Sequence, residues 1–454
     1  MLSYKEKLSE LNKIRNSVKN KTINFNENKK FFGHLKSTPL KKNKNDDDED
    51  DEIKGFPFKI KLKGSNKIKN LSIKIIPIEN KYTTNEHPCF IENIILKELT
   101  DNVINKNLSP HIVFYFGSTK VNNKSSCLLD MNLPNFYNNR KIKNYSNMLI
   151  SEYIDGLSLE EWVYKQTKKN IEITPSNWLT MIFQLLYTIY IFQYKYKLLH
   201  NDFHYGNILI DDNIKAEGYF IYKIFGKTYY LKNFGIIPKL WDFEFCMCYS
   251  DNIKSLYPNK YIIGTSNYNK KTFSTNLNSI DKDFHVPLNY NEVYDSHYLL
   301  TSLLKLYISD DIYEWISNLY PYEVIESDSD SDSDSDSYYK SDTDTDTDTD
   351  TSSYNKNLQN KKSSVKSVDK IFSKLNKDNC NSNSSSNSSF TTTYTSSDND
   401  SVYLKDGRLL NKTLNMFNLP TTKDILNDKI FDQFLIKPKD LNPDLDVVFD
   451  STIN

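Results

Sequence analysis

The sequence predicts an α+β protein of two lobes, a small β-rich lobe followed by a mainly helical one, with a disordered acidic insertion. Three observations predict it. Apolar residues alternate with polar ones in several stretches between residues 55 and 155. Apolar residues at helical spacing dominate the stretches that follow. Residues 326–402 carry alternating Ser-Asp, alternating Thr-Asp and then a Ser/Asn-rich run, a composition that repels itself and has little apolar surface to bury. The order strands, one helix, strands, helices is that of a sheet lobe preceding a helical lobe.

The elements follow in order. In an extension over residues 1–54, Leu8, Leu11, Ile14 and Val18 lie at helical spacing, so an amphipathic helix is expected. A lysine-rich piece and seven consecutive acids, residues 46–52, read as a solvated segment. Within residues 55–155, FPFKIKL and LSIKIIPI alternate as strands, with a turn near Gly64, Ser65 and Asn66. A helix follows, with Ile91, Ile94, Ile95 and Leu99 on one face; HIVFYFG (residues 111–117) and NMLISEY are further strands. Within residues 156–325, Ser158 and Glu161 form a capping box ahead of one helix. A long apolar helix then starts near Thr174 or Ser176. Residues 218–240 look like a β-hairpin turning at Gly226-Lys227. Order resumes in 403–454, where Pro420-Thr421 signals the start of a final helix.

Composition removes several function classes. The formal net charge is -1, which supplies no basic field for nucleic acid. The five cysteines are irregularly spaced and form no CxxC pair, which disfavours a disulfide framework or a zinc site and suits a reducing compartment. The N-terminus is too polar for a signal peptide, and the apolar stretch Trp178–Phe192 is short enough to be a buried helix. A soluble intracellular protein with no membrane partner is the expectation.

The chemistry concentrates in His200-Asn201-Asp202-Phe203-His204-Tyr205-Gly206-Asn207, between the long apolar helix and an apolar strand. A second apolar strand ends at Asp242-Phe243-Glu244. Phosphoryl transfer asks a protein for a base that positions the acceptor hydroxyl and for oxygen ligands to magnesium. Asp202 suits the first task. Asn207 and Asp242 suit the second, because hard cations prefer carboxylate and amide oxygens.

The first stretch resembles the H-x-D-x-x-x-x-N catalytic loop of the protein kinase superfamily, and the second its magnesium-binding D-F-G with Glu244 in place of Gly. The resemblance implies a bilobal protein-kinase-like fold using ATP and Mg2+. It implies that Lys74 grips the α and β phosphates and that Glu92, on the next helix, holds Lys74. It implies that the strand and hinge Met148–Gly156, with Glu152, Tyr153 and Ile154, bind adenine, and that Asp295 buttresses the catalytic-loop backbone. The hairpin insertion is similar to that of divergent kinase-like proteins of giant DNA viruses, which would place the protein in host cytoplasm or virion. The implied acceptor is a Ser or Thr hydroxyl of a protein, with the chain's own acidic repeat as one candidate.

The departures are specific. No G-x-G-x-x-G precedes Lys74; only Gly33, Gly55 and Gly64 do, and a clamp could instead come from Phe31-Phe32-Gly33. Glu244 replaces a flexible glycine, and no A-P-E follows. His204 stands where Ser/Thr kinases usually carry Lys, and reads as a structural turn residue. Two other readings stay open: a small-molecule kinase of the choline or aminoglycoside type, and a pseudokinase scaffold that keeps the fold for binding.

Overall fold

The computed structural model describes residues 1–19, 38–39, 55–62, 67–80, 88–123, 142–244, 246–248, 290–320, 403–405, 408–410 and 419–452. All belong to one compact unit, residues 1–325 with 401–454. The acidic run 46–52, Phe31-Phe32-Gly33, the turn at 64–66 and the insertion 326–402 lie outside the described residues.

The chain opens with helix α1 (Tyr4–Lys19), whose Leu11, Ile14 and Val18 are buried as their spacing requires. Five strands follow: β1 (Thr38–Pro39), β2 (Phe56–Lys61), β3 (Asn70–Glu79), β4 (Tyr115–Asn122) and β5 (Ile142–Glu152). They form one sheet in the order β1-β2-β3-β5-β4, with every neighbouring pair antiparallel. Helix α2 (Pro88–Leu99) lies between β3 and β4 and ends in one wider turn, Thr100–Ile104. Ile73 and Ile75 bury one face of β3, so the alternating Lys74 points to the other.

The strand expected over residues 111–117 is displaced, since β4 begins at Tyr115. Leu240 claims the preceding residues: Val113 donates its N–H to Leu240 O at 3.0 Å, and Leu240 N–H goes to His111 O at 3.0 Å. A backbone hydrogen-bond partner far away in sequence thus outcompetes local strand propensity.

The helical lobe starts with α3 (Leu159–Lys168), where Ser158 and Glu161 form the expected reciprocal capping box. Helix α4 (Pro175–Tyr196) is capped by Thr174, whose hydroxyl accepts the Asn177 N–H at 3.2 Å. It is the central core helix, with Trp178, Phe183, Tyr187 and Phe192 almost wholly buried. Among the described residues no helix is long and apolar enough to cross a membrane. After the short β6 (Leu198–Leu199) come β7 (Ile208–Asp211), the hairpin β8 (Tyr219–Ile224) and β9 (Lys227–Lys232), β10 (Ile237–Leu240) and β11 (Met247–Cys248). The expected hairpin is present, but it turns one residue earlier than Gly226-Lys227, at Phe225 and Gly226, both with positive φ, because Lys227 already pairs with Ile224.

Helices α5 (Tyr294–Leu303) and α6 (Asp310–Leu319) complete the lobe, and a small hairpin joins β12 (Tyr403–Lys405) to β13 (Arg408–Leu410). The final helix is shorter than its sequence suggests: α7 (Thr422–Leu426), capped by Thr421 and Asp424, gives way to a 3-10 turn at Lys429–Leu435. Phe431 and Phe434 of that turn pack on Phe183, with ring centroids 5.3 Å and 6.0 Å away. Strand β14 (Val447–Asp450) then adds to β8 in parallel.

Candidate active site

The site follows from the pairing of β7 with β10. Ile208 is opposite Leu240 in this antiparallel register, so the residues just outside the pair, Asn207 and Trp241, are neighbours. The Trp241 N–H donates to Asn207 O at 3.2 Å. Asp242 follows at once, with φ of 62°, a left-handed conformation that Asp tolerates better than most residues. Asn207 Nδ2 donates to Asp202 Oδ2 at 2.7 Å and to Asp202 O at 2.9 Å. With both amide hydrogens turned to Asp202, the Oδ1 of Asn207 is the atom left to ligate a cation.

Lys74 Nζ lies 3.2 Å from Glu92 Oε2, 2.9 Å from Asp242 Oδ1 and 3.5 Å from Glu244 Oε2. Burial alone would push the Lys74 ammonium down; Asp242, Glu92 and Glu244 outweigh it and hold the pKa well above the ordinary lysine value. Burial pushes the Glu92 carboxyl up to about 7, partly opposed by Lys74 and reinforced by Asp242 and Glu244. Among the described residues one cation therefore meets three carboxyl groups.

A carboxyl pKa raised on folding means that the native state holds more protons than the unfolded chain. Its contribution is fully present below the unfolded value of 4.5 and is lost as pH rises through about 7. Wild type should accordingly lose stability relative to Glu92→Gln as pH rises from 4.5 to about 7. Urea unfolding of both proteins at several pH values checks this; a pH-independent difference contradicts it.

The loop itself is held from below. Asp295, wholly buried on α5, accepts the His200 N–H at 2.7 Å and the Asn201 N–H at 2.9 Å. Burial raises its carboxyl to about 7, opposed by those two hydrogen bonds. These anchors hold Asn201 at φ 64°, a left-handed residue in the loop as Asp242 is in its own turn. His200 Nδ1 accepts the Asp202 N–H at 3.3 Å, and Nε2 lies 3.2 Å from Trp241 O. The neutral Nε2–H tautomer satisfies both contacts, and burial pushes the His200 pKa down to about 4. Phe243 is buried against His200, centroids 4.9 Å apart, and so ties the loop to the Asp242 turn.

A "putative serine/threonine-protein kinase" of Acanthamoeba polyphaga mimivirus is 26% identical to this chain over 252 residues, 51% of this chain and 49% of that protein. The chain is similar in sequence to this protein named as a kinase. It thus spans about half the length of this relative. A "probable serine/threonine-protein kinase" of Dictyostelium discoideum is 32% identical over 75 residues, 16% of this chain and 6% of that protein. The crystal structure of the BubR1 kinase domain aligns at 16% identity and TM-score 0.29, covering 44% of this chain and 46% of that one. No family model matches the chain.

Of the residues singled out from sequence, Lys74, Glu92 and Asp242 form one ion-paired cluster, and the Asp202–Asn207 pair lies beside it through the Trp241–Asn207 backbone hydrogen bond. The Glu152 carboxylate turns inward to Lys7 and Lys239, and the Glu152 N–H donates to Phe114 O at 2.8 Å. Neither group is available to adenine, which leaves its carbonyl and the backbone of Tyr153 and Ile154. Lys59 sits over the Tyr153 ring at 4.4 Å. His204 behaves as the turn residue expected: its Nδ1 accepts the Gly206 N–H at 3.1 Å, although Nε2 also lies 3.8 Å from Asp202 Oδ1. Sequence reasoning missed the contact between Glu244 and Lys74, because a residue in a glycine's place gives no sign of where its side chain goes. Gly55 does approach Lys74: a Cβ there would lie 2.8 Å from Lys74 Cε.

Among the described residues no group of three or more His, Cys, Asp or Glu side chains forms a metal cage. Magnesium does not need one. It is commonly held by one or two protein oxygens together with waters and phosphates, and Asn207 Oδ1 with Asp242 fits that donor set.

Proposed function

We propose that this chain is an ATP- and Mg2+-dependent phosphotransferase whose acceptor is a serine or threonine hydroxyl of a protein. The observation that carries the reading is the Asp202–Asn207 pair placed one residue from Asp242, which itself pairs with Lys74 held by Glu92. Bound magnesium would neutralise phosphate charge and orient the γ-phosphoryl group. Asn207 Oδ1 and Asp242 would hold that cation. Lys74 leaves Asp242 to meet the α and β phosphates, while Glu92 keeps its ammonium aimed. Asp202, oriented by the Asn207 amide, accepts the hydroxyl proton as the new oxygen–phosphorus bond forms. The bond from the γ-phosphorus to the bridging oxygen breaks, and ADP leaves with that oxygen. The backbone of Tyr153 and Ile154 lines the adenine end.

Transfer of labelled γ-phosphate to generic protein substrates, with magnesium and with a chelator, tests the reading. Magnesium-dependent label in protein supports it. Nucleotide binding without transfer would favour a pseudokinase, a reading for which the Glu244–Lys74 contact of 3.5 Å speaks, since it occupies the phosphate-binding cation. Glu244→Gly should tighten Mg-ATP binding about 2- to 5-fold, the equivalent of a partly exposed ion pair. Calorimetric titration measures it, and weaker binding would make Glu244 a working part of the site instead of a competitor.

A further inference from the structure

Behind the hinge lies a buried charge network that the proposed chemistry does not use. Lys7 Nζ of α1 is 2.7 Å from Glu152 Oε1 and also pairs with Asp211 Oδ2. Lys239 Nζ is 3.3 Å from Glu152 Oε2 and 3.3 Å from Ile112 O. The Glu152, Asp211 and Lys239 side chains are each at most 3% exposed, and Lys7 is 13% exposed. Two ammonium groups thus face two carboxylates with little water between them, an arrangement that persists only while every charge keeps its partner.

The location gives the network its meaning. Glu152 ends β5 and leads directly into Tyr153 and Ile154, the adenine end of the cleft. Asp211 ends β7, the strand that begins one residue after Asn207. A single ammonium therefore joins the ends of the two strands that deliver opposite sides of the nucleotide site. The same two segments touch again one turn further on, where Ile210 N–H donates to Leu157 O at 2.9 Å. A Cβ on Gly156 would lie 1.8 Å from Ile210 O, so only glycine fits there.

Helix α1 spans the same junction. At its start, Tyr4 packs on Phe220 and Phe449, centroids 6.2 Å and 5.9 Å away, and Lys5 Nζ donates to Pro443 O at 2.8 Å, all in the helical lobe. Further along, Arg15 pairs with Asp101 at 2.5 Å and lies 5.6 Å from the Phe114 ring centroid, in the β lobe. The helix is a strut between the lobes, and Lys7 stands at its crossing point.

We propose that Lys7 is a positioning residue for nucleotide binding, holding the hinge strand and the catalytic-loop strand at a fixed spacing through Glu152 and Asp211. This rests on the Mg-ATP reading for its functional consequence but not for its mechanical one. Lys7→Met alone leaves two buried carboxylates to share Lys239 and can unfold the chain. Lys7→Met combined with Asp211→Asn removes one charge of each sign, leaves the Glu152–Lys239 pair intact and lacks only the bridge.

The experiment compares this double variant with wild type in the full chain, at a temperature where circular dichroism finds both folded. Amide hydrogen exchange over residues 153–158 should be about tenfold faster in the variant, while α4 stays protected. The KM for ATP should rise about tenfold with kcat within about twofold, the pattern of misplaced binding groups beside an intact base. Hinge exchange equal to wild type would overturn the proposal, as would an equal loss of protection in α4. If wild type binds no Mg-ATP, the phosphotransferase reading fails, and hinge exchange alone decides the role of Lys7.

Discussion

Replacing Asp202 by Ala lowers phosphoryl transfer by about 10²- to 10⁴-fold, the range that a positioned general base supplies. It should leave the dissociation constant for Mg-ATP within about threefold of wild type, because the proposed base acts on the acceptor and not on the nucleotide. Asn207 loses a 2.7 Å partner but keeps the Asp202 carbonyl at 2.9 Å, so the proposed metal ligand stays aimed. Single-turnover transfer and equilibrium nucleotide titration on the same preparation separate the two effects. Undiminished transfer would remove Asp202 from the base role.

Asp295→Ala carries the other large effect, and it falls on stability first. The wild-type carboxylate satisfies two buried N–H groups, those of His200 and Asn201, with no exposed surface of its own. Each orphaned buried donor costs about 1–3 kcal/mol, so the variant should lose about 2–6 kcal/mol in urea unfolding. Asn201 would also lose what holds it at φ 64°, and transfer should fall with it. Asp295→Asn keeps one acceptor oxygen and should recover about half of the loss. A loss below about 0.5 kcal/mol would mean that the loop holds its shape without Asp295.

Much of this was legible in the sequence, and the reasons are local. Asp202 and Asn207 are five residues apart, between apolar segments that must bury themselves, so they share one turn whatever the rest of the fold does. The capping box at Ser158 and the hairpin at Gly226 are likewise written in neighbouring residues. Glu92 is legible by its helix, since Ile95, Leu96 and Leu99 fix which face is buried and so which residues come with it.

What escaped the sequence depends on partners distant along the chain. Lys7 lies among polar residues of an amphipathic helix and reads as solvated; its partner Asp211 is 204 residues away. Lys239 lies in a fully buried four-residue strand and is tolerated only because Glu152 comes to meet it. The early part of HIVFYFG has strand composition, but Leu240 takes its backbone groups first. The parallel pairing of β14 with β8 joins residues more than 200 positions apart, which periodicity does not encode.

The most direct test of the account is the thermal stability of the full chain with ATP alone, with magnesium alone and with both, for wild type and Asp242→Ala. A ligand that binds only the folded state must raise the apparent stability, by about 2.7 kcal/mol at a hundred times its dissociation constant. The account predicts a shift in wild type that requires ATP and magnesium together and is largely absent in Asp242→Ala. A shift of equal size in both proteins, or none in wild type, would contradict a magnesium-nucleotide site built on Asn207, Asp242 and Lys74.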